Sequence, residues 1–153
     1  MPDLSALIER LEMASGSDRE IDCLLWAIQE GIELEWQGTT LVAGTVGVIG
    51  WCDPGATARN FYTNRDVRGP GSIPALTASI DAAVAFKERV LPGWAWAAGL
   101  DGGWPEGRQG WARVFPWPNL QHLGSGNWNG ATAPIALLIA TLRALQATRG
   151  GDR

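Results

Sequence analysis

The sequence predicts an α+β fold: a small antiparallel sheet packed with helices in an α/β/α sandwich, in a single domain. Three observations carry this reading. Four segments place apolar residues at helical spacing between capping residues and helix stops. Two tryptophan-rich segments late in the chain alternate as strands do, with a turn-rich stretch between them. A length of 153 residues, 46% of them hydrophobic and 18% charged, suffices for one real core. The domain is expected over residues 1–148, with a long polar loop at 52–72 and a frayed tail at 149–153.

The first helix spans Leu4 to Met13, where Leu4, Leu7, Ile8 and Leu11 share one face. Ser15-Gly16 breaks it, and Ser17 stands three residues before Glu20 as in a capping box. The second helix then has Ile21, Leu24, Leu25 and Ile28 on its inner face, with Cys23 as a small buried hydrophobe, and stops near Gly31. Two short helices across a tight turn are expected to pair as a hairpin.

From Ile32 the period changes to two, with Leu34 and Trp36 alternating against Glu33 and Glu35. Leu41 to Trp51 is apolar, β-branched and glycine-punctuated, and reads as one bulged strand or an apolar loop. DPGATARNFYTNRDVRGPGS, Asp53 to Ser72, is a polar loop of functional length. Thr77 caps the third helix, with Asp81 in its first turns and Lys87 and Arg89 in its last, as the helix dipole favours. Pro92-Gly93 ends it.

Trp94 and Trp96 alternate in one strand, and Trp111, Arg113 and Phe115 in the next, with DGGWPEGRQG between. PWPNLQHLGSGNWNG reads as a second irregular loop. Thr132 then opens a fourth helix with Pro134 in its first turn, apolar on nearly every side and so packed on more than one.

Composition excludes several functions. A net charge of −4, a pI near 4.9 and a single lysine supply no basic stripe for long nucleic acids. One histidine and two distant cysteines leave no metal-ligand set, and no cofactor is expected. No long apolar run suggests a membrane span or a signal peptide, so a cytoplasmic protein is expected. The low charge fits a homo-oligomer that covers apolar surface.

Three pieces resemble the small phage and prophage proteins of the ABA-sandwich domain family. They are LIERLEMASGSDREIDCLLW, LTASIDAAVAFKERVLPGWAW and TAPIALLIATLRALQA. The resemblance implies helix, sheet and helix layers and a phage origin, with the cytoplasm of the infected or lysogenic host as the location. It implies no reaction and no catalytic residues. The insert from Ile32 to Ser72 and the tryptophan load depart from the family pattern.

The candidate site residues lie in the two polar loops. Arg59, Arg65 and Arg68 surround Phe61 and Tyr62, with Asn60 and Asn64 between them. Arginine pairs bidentately with phosphate while an aromatic ring stacks on a base. The same loop also reads as a solvated segment anchored by its two aromatics. In the second loop Trp117, His122, Asn127 and Trp128 can contact a ligand. His122 has no nearby carboxylate or nucleophile in sequence and reads as a contact residue rather than a catalytic one. GSGNWNG has no lysine and no Walker spacing, so it reads as a loop rather than a phosphate cradle.

Of nine tryptophans, Trp26, Trp94, Trp96 and Trp111 are expected in the core or an interface, while Trp104, Trp117 and Trp128 are free for a partner. The expected function is non-enzymatic binding of a small nucleotide-like ligand. In a phage setting this is a sponge that sequesters a host immune signal, a cyclic nucleotide or an ADP-ribose derivative. The alternatives are a protein–protein interaction module acting through loop tryptophans and, more weakly, a glycan-binding module.

Overall fold

The structure, a computed structural model, describes residues 3–31, 35–37, 40–43, 47–51, 60–61, 74–100, 110–116 and 128–151. The class is α+β, with antiparallel strands packed against helices. Backbone contacts gather into two compact units, one of Met1–Pro2 with Asp18–Ala75, the other of Asp3–Ser17 with Leu76–Arg153.

The smaller unit holds helix α2 (Arg19–Glu30) and four strands. Asp18, not Ser17, is the N-cap: its carboxylate accepts from the Glu20 and Ile21 N–H groups at 2.9 and 3.2 Å. Both residues are good caps, and the path of the chain brings the Asp18 side chain rather than that of Ser17 to the open N–H groups. Gly31 ends the helix with φ 66°, a left-handed conformation that costs glycine little. Its buried face is Ile21, Asp22, Cys23, Leu25, Trp26 and Ala27, with Leu24 only half-buried, so the inner face is rotated from the one expected.

The strands β1 (Glu35–Gln37), β2 (Thr40–Ala43), β3 (Gly47–Trp51) and β4 (Asn60–Phe61) form an antiparallel meander in that order. The Leu41–Trp51 segment is therefore two paired strands rather than one, with a register shift at Leu41/Val42. A third pairing, of Gly50 with Phe61 and Trp51 with Asn60, places a short strand inside the segment expected to be loop.

In the larger unit α1 (Leu4–Met13) buries Leu4, Leu7, Ile8 and Leu11, as its spacing predicts. Asp3 caps it, accepting from the Ser5 N–H at 3.0 Å. The two helices expected to pair as a hairpin fall in different units, and α1 packs on the last helix instead. Helix α3 (Ile80–Val90) is capped by Ser79, which accepts from the Ala82 N–H; the expected cap, Thr77, is buried in the preceding turn. Gly93, at φ 78°, turns the chain into the sheet.

That sheet has the order β5 (Trp94–Leu100), β6 (Gly110–Pro116) and β7 (Trp128–Gly130), all antiparallel. β7 lies at the end of the second expected loop. Helix α4 (Ala133–Gly151) packs on all three strands, and α1 and α3 pack on α4. Residues Ile135–Leu142 are all buried, and burying each large aliphatic side chain contributes roughly 1.5–3 kcal/mol. The buried Thr141 hydroxyl donates to the Leu137 carbonyl at 2.7 Å, so the apolar centre is not interrupted by an unmet polar group. α1 is tied to α4 by the Arg143–Glu12 ion pair at 2.7 Å and by Gln146 donating to Ser5 at 2.8 Å. α4 continues past residue 148 to Gly151, where the sequence predicts fraying.

Candidate functional site on the sheet

β6 alternates strictly. Gly110, Ala112 and Val114 are buried, whereas Arg113 is exposed and Trp111 and Phe115 are half-buried. Small residues on the first face let α4 approach. A Cβ on Gly110 would stand 2.2 Å from the Thr132 backbone, and one on Gly130 would stand 2.9 Å from Ile135. Trp111 is therefore not a core ring, and neither is Trp96, which is 40% exposed; of the four tryptophans expected in the core or an interface, Trp26 is buried and Trp94 half-buried. Residue size pointed to the aromatic face as the inner one, but the close helix crossing requires the smaller face.

The outer face has a definite relief. The β5 residues registered opposite Trp111, Arg113 and Phe115 are Gly99, Ala97 and Ala95. A row of two rings and a guanidinium thus stands beside a floor of small residues. The Trp111 indole lies across Gly99, where any Cβ would meet its Nε1 at 2.8 Å. The Arg113 guanidinium sits 5.5 Å from the centre of the Phe115 ring, within cation–π range. This holds the cation near the face of the sheet while its N–H groups remain available to an anion. Flat rings and a fixed guanidinium suit a planar anionic ligand and provide no nucleophile or general base.

At its start β5 is fixed by the chain's single lysine. Trp94 is registered opposite Pro116, which has no N–H to donate. Its carbonyl instead accepts from the Lys87 Nζ, and its N–H donates to the Leu91 carbonyl at 3.3 Å. The Lys87 side chain is fully buried, and its ammonium also pairs with Glu88. Lys87, with help from the Gly93 N–H at 3.4 Å, holds the Glu88 carboxyl below the usual glutamate range.

Of the residues expected from sequence to form the site, Asn60 and Phe61 are placed on β4, and Trp128 on β7 opposite Ala112. These positions belong to different units. Arg59, Tyr62, Asn64, Arg65, Arg68, Trp117, His122 and Asn127 lie outside the described residues. The Trp111–Arg113–Phe115 row was visible as an alternation, yet nothing in one strand says which alternate face a helix will cover. Among the described residues no group of three or more His, Cys, Asp or Glu side chains could hold a metal ion, and no helix is long and apolar enough to cross a membrane. Compared with protein-family models, curated proteins and solved structures, the chain matches none.

Proposed function

We propose that this protein is a non-enzymatic binder of a small nucleotide-type ligand, held on the outer face of β5 and β6. The observation that carries the reading is Arg113 standing between Trp111 and Phe115, accessible, beside the low floor of Ala95, Ala97 and Gly99. A base stacked on a ring is worth about 1–3 kcal/mol, and a hydrogen bond to a charged group about 1.5–3 kcal/mol. The setting of this reading is the phage or prophage origin that the resemblance of the three pieces implies, where sequestering a host cyclic nucleotide or ADP-ribose derivative would blunt a defence signal.

Calorimetric titration with cyclic mononucleotides, cyclic dinucleotides and ADP-ribose tests it. At least one ligand binds the wild-type chain, and Arg113→Ala weakens that binding tenfold or more, given about 1.4 kcal/mol per factor of ten. Binding that is untouched by Arg113→Ala but lost in Arg65→Ala would move the site to the loop. No binding across the panel would favour the second reading, a protein-interaction module, which the exposure of Trp96 supports.

A further inference from the structure

We propose that β5 is a self-pairing edge: two copies of this chain join antiparallel along it, about a two-fold axis at Ala98. The inference starts from the ladder. A strand residue in an antiparallel pair directs its N–H and C=O to one side, and successive residues alternate. Trp94 directs both away from β6, to Leu91 and Lys87. By alternation Ala95, Ala97 and Gly99 bond β6, while Trp96, Ala98 and Leu100 direct their backbone groups to the other side. Among the described residues no strand pairs there, because β5 is the edge of its sheet.

Edges of this kind are usually blunted with a charge, a proline or a bulge. β5 has none of these. WAWAAGL carries no charged residue and no proline, and its seven-residue register with β6 runs without a shift. Its two large accessible side chains are Trp96, 40% exposed, and Leu100, 69% exposed. Both occupy register positions on the helix side, opposite Val114 and Gly110.

A second copy meets these features point for point. With the axis at Ala98, Trp96 faces the partner's Leu100, Ala98 faces its own counterpart, and the partner's Trp96 faces Leu100. Each backbone group at these three positions that has no strand partner among the described residues then has a mate, while the occupied groups of Trp94 stay outside the ladder. An axis at Ala97 would set Leu100 against the Trp94 groups that are already bonded. Along the strand itself two copies meet no like charge, since WAWAAGL is uncharged, although each chain carries net −4 overall. A ladder this short buries less than the ~1,200 Å² of a standard stable interface, so the pairing is reversible. It would also set the partner's Trp111–Arg113–Phe115 row across a floor two strands wide, with the two β6 backbones about 14 Å apart. That last consequence rests on the ligand reading; the pairing does not.

Sedimentation equilibrium without ligand tests the pairing separately from binding. The wild-type mass rises from monomer toward dimer between about 1 µM and about 1 mM, the span expected of a small reversible interface. Leu100→Lys and Trp96→Glu each hold the chain monomeric, since either places a charge in an apolar pair. The double substitution restores the dimer, because each introduced glutamate faces an introduced lysine of the other copy. In the unaltered chain, amide exchange at Trp96, Ala98 and Leu100 slows as concentration rises, which needs no variant to fold. A wild-type chain monomeric at about 1 mM, or a dimer indifferent to both single substitutions, overturns the proposal. A dimer that both singles abolish and the double fails to restore overturns the Ala98 register. A dimer that binds no nucleotide leaves the pairing standing and removes the ligand reading.

Discussion

On the helix side of β6, Gly110, Ala112 and Val114 are shut beneath α4; on the other side, Trp111, Arg113 and Phe115 remain within reach of solvent. The first face consists of the smallest side chains the strand has, the second of its largest. Burial here follows the distance at which the helix must cross, and bulk is set outside where there is room for it. The inner face is a packing surface in which a single carbon matters. The outer face keeps its shape through local contacts, an indole over a glycine and a guanidinium over a ring, and is free to meet something else.

The contrast is broken most forcefully from within. Gly110→Ala drives a methyl group into the Thr132 backbone, and we expect a loss of about 3 kcal/mol, read as a lower urea midpoint at unchanged slope. A variant as stable as the wild type would mean that α4 can retreat from the sheet. Lys87→Met keeps much of the buried volume but strips the Trp94 carbonyl of its donor, which should cost about 1–3 kcal/mol in the same assay. The outer face should behave in the opposite way. Arg113→Ala changes stability by no more than about 0.5 kcal/mol while weakening nucleotide binding, and a large destabilisation would show that the row is structural after all.

The smallest effect sharpens the boundary between the two faces. Glu88 is exposed, and Lys87 lowers its folded pKa. The contribution of that ion pair is therefore fully present above the ordinary glutamate pKa and is lost as pH falls through the lowered folded value. Glu88→Gln should flatten the acid limb of a stability–pH profile and leave neutral pH nearly unchanged. An acid limb with the wild-type slope would assign the acid sensitivity to other carboxylates.

Much of the fold was legible in the residues. The 3.6-residue spacing located α1 at its observed ends, and Pro92-Gly93 and Gly31 marked two stops through chemistry that is local to the chain. The caps were harder, since Ser17 and Asp18, or Thr77 and Ser79, compete on nearly equal terms and only the path of the chain decides. β7 and β4 could not be read, because strands of three and two residues among Gly and Asn have no period and exist only through their pairing partners. For the candidate site, the alternation of Trp111, Arg113 and Phe115 was legible but its direction was not, since this depends on a helix that follows much later in the sequence. The loop residues singled out from composition, Arg59, Arg65, Arg68 and His122 among them, fall outside the described residues, apart from Asn60, Phe61 and Trp128 on their strands.

The burial of Lys87 also has a chemical corollary. It is the chain's one lysine, and in the folded protein its side chain is sealed from solvent. Acylating reagents, and enzymes that attach groups to the ε-amine, have no lysine to reach while α3 remains docked against β5. Each molecule that opens there exposes one such amine. Activated-ester modification located at Lys87, counted apart from that of the α-amine, therefore reports opening events at that junction, and the protein carries a built-in reporter of its own local unfolding.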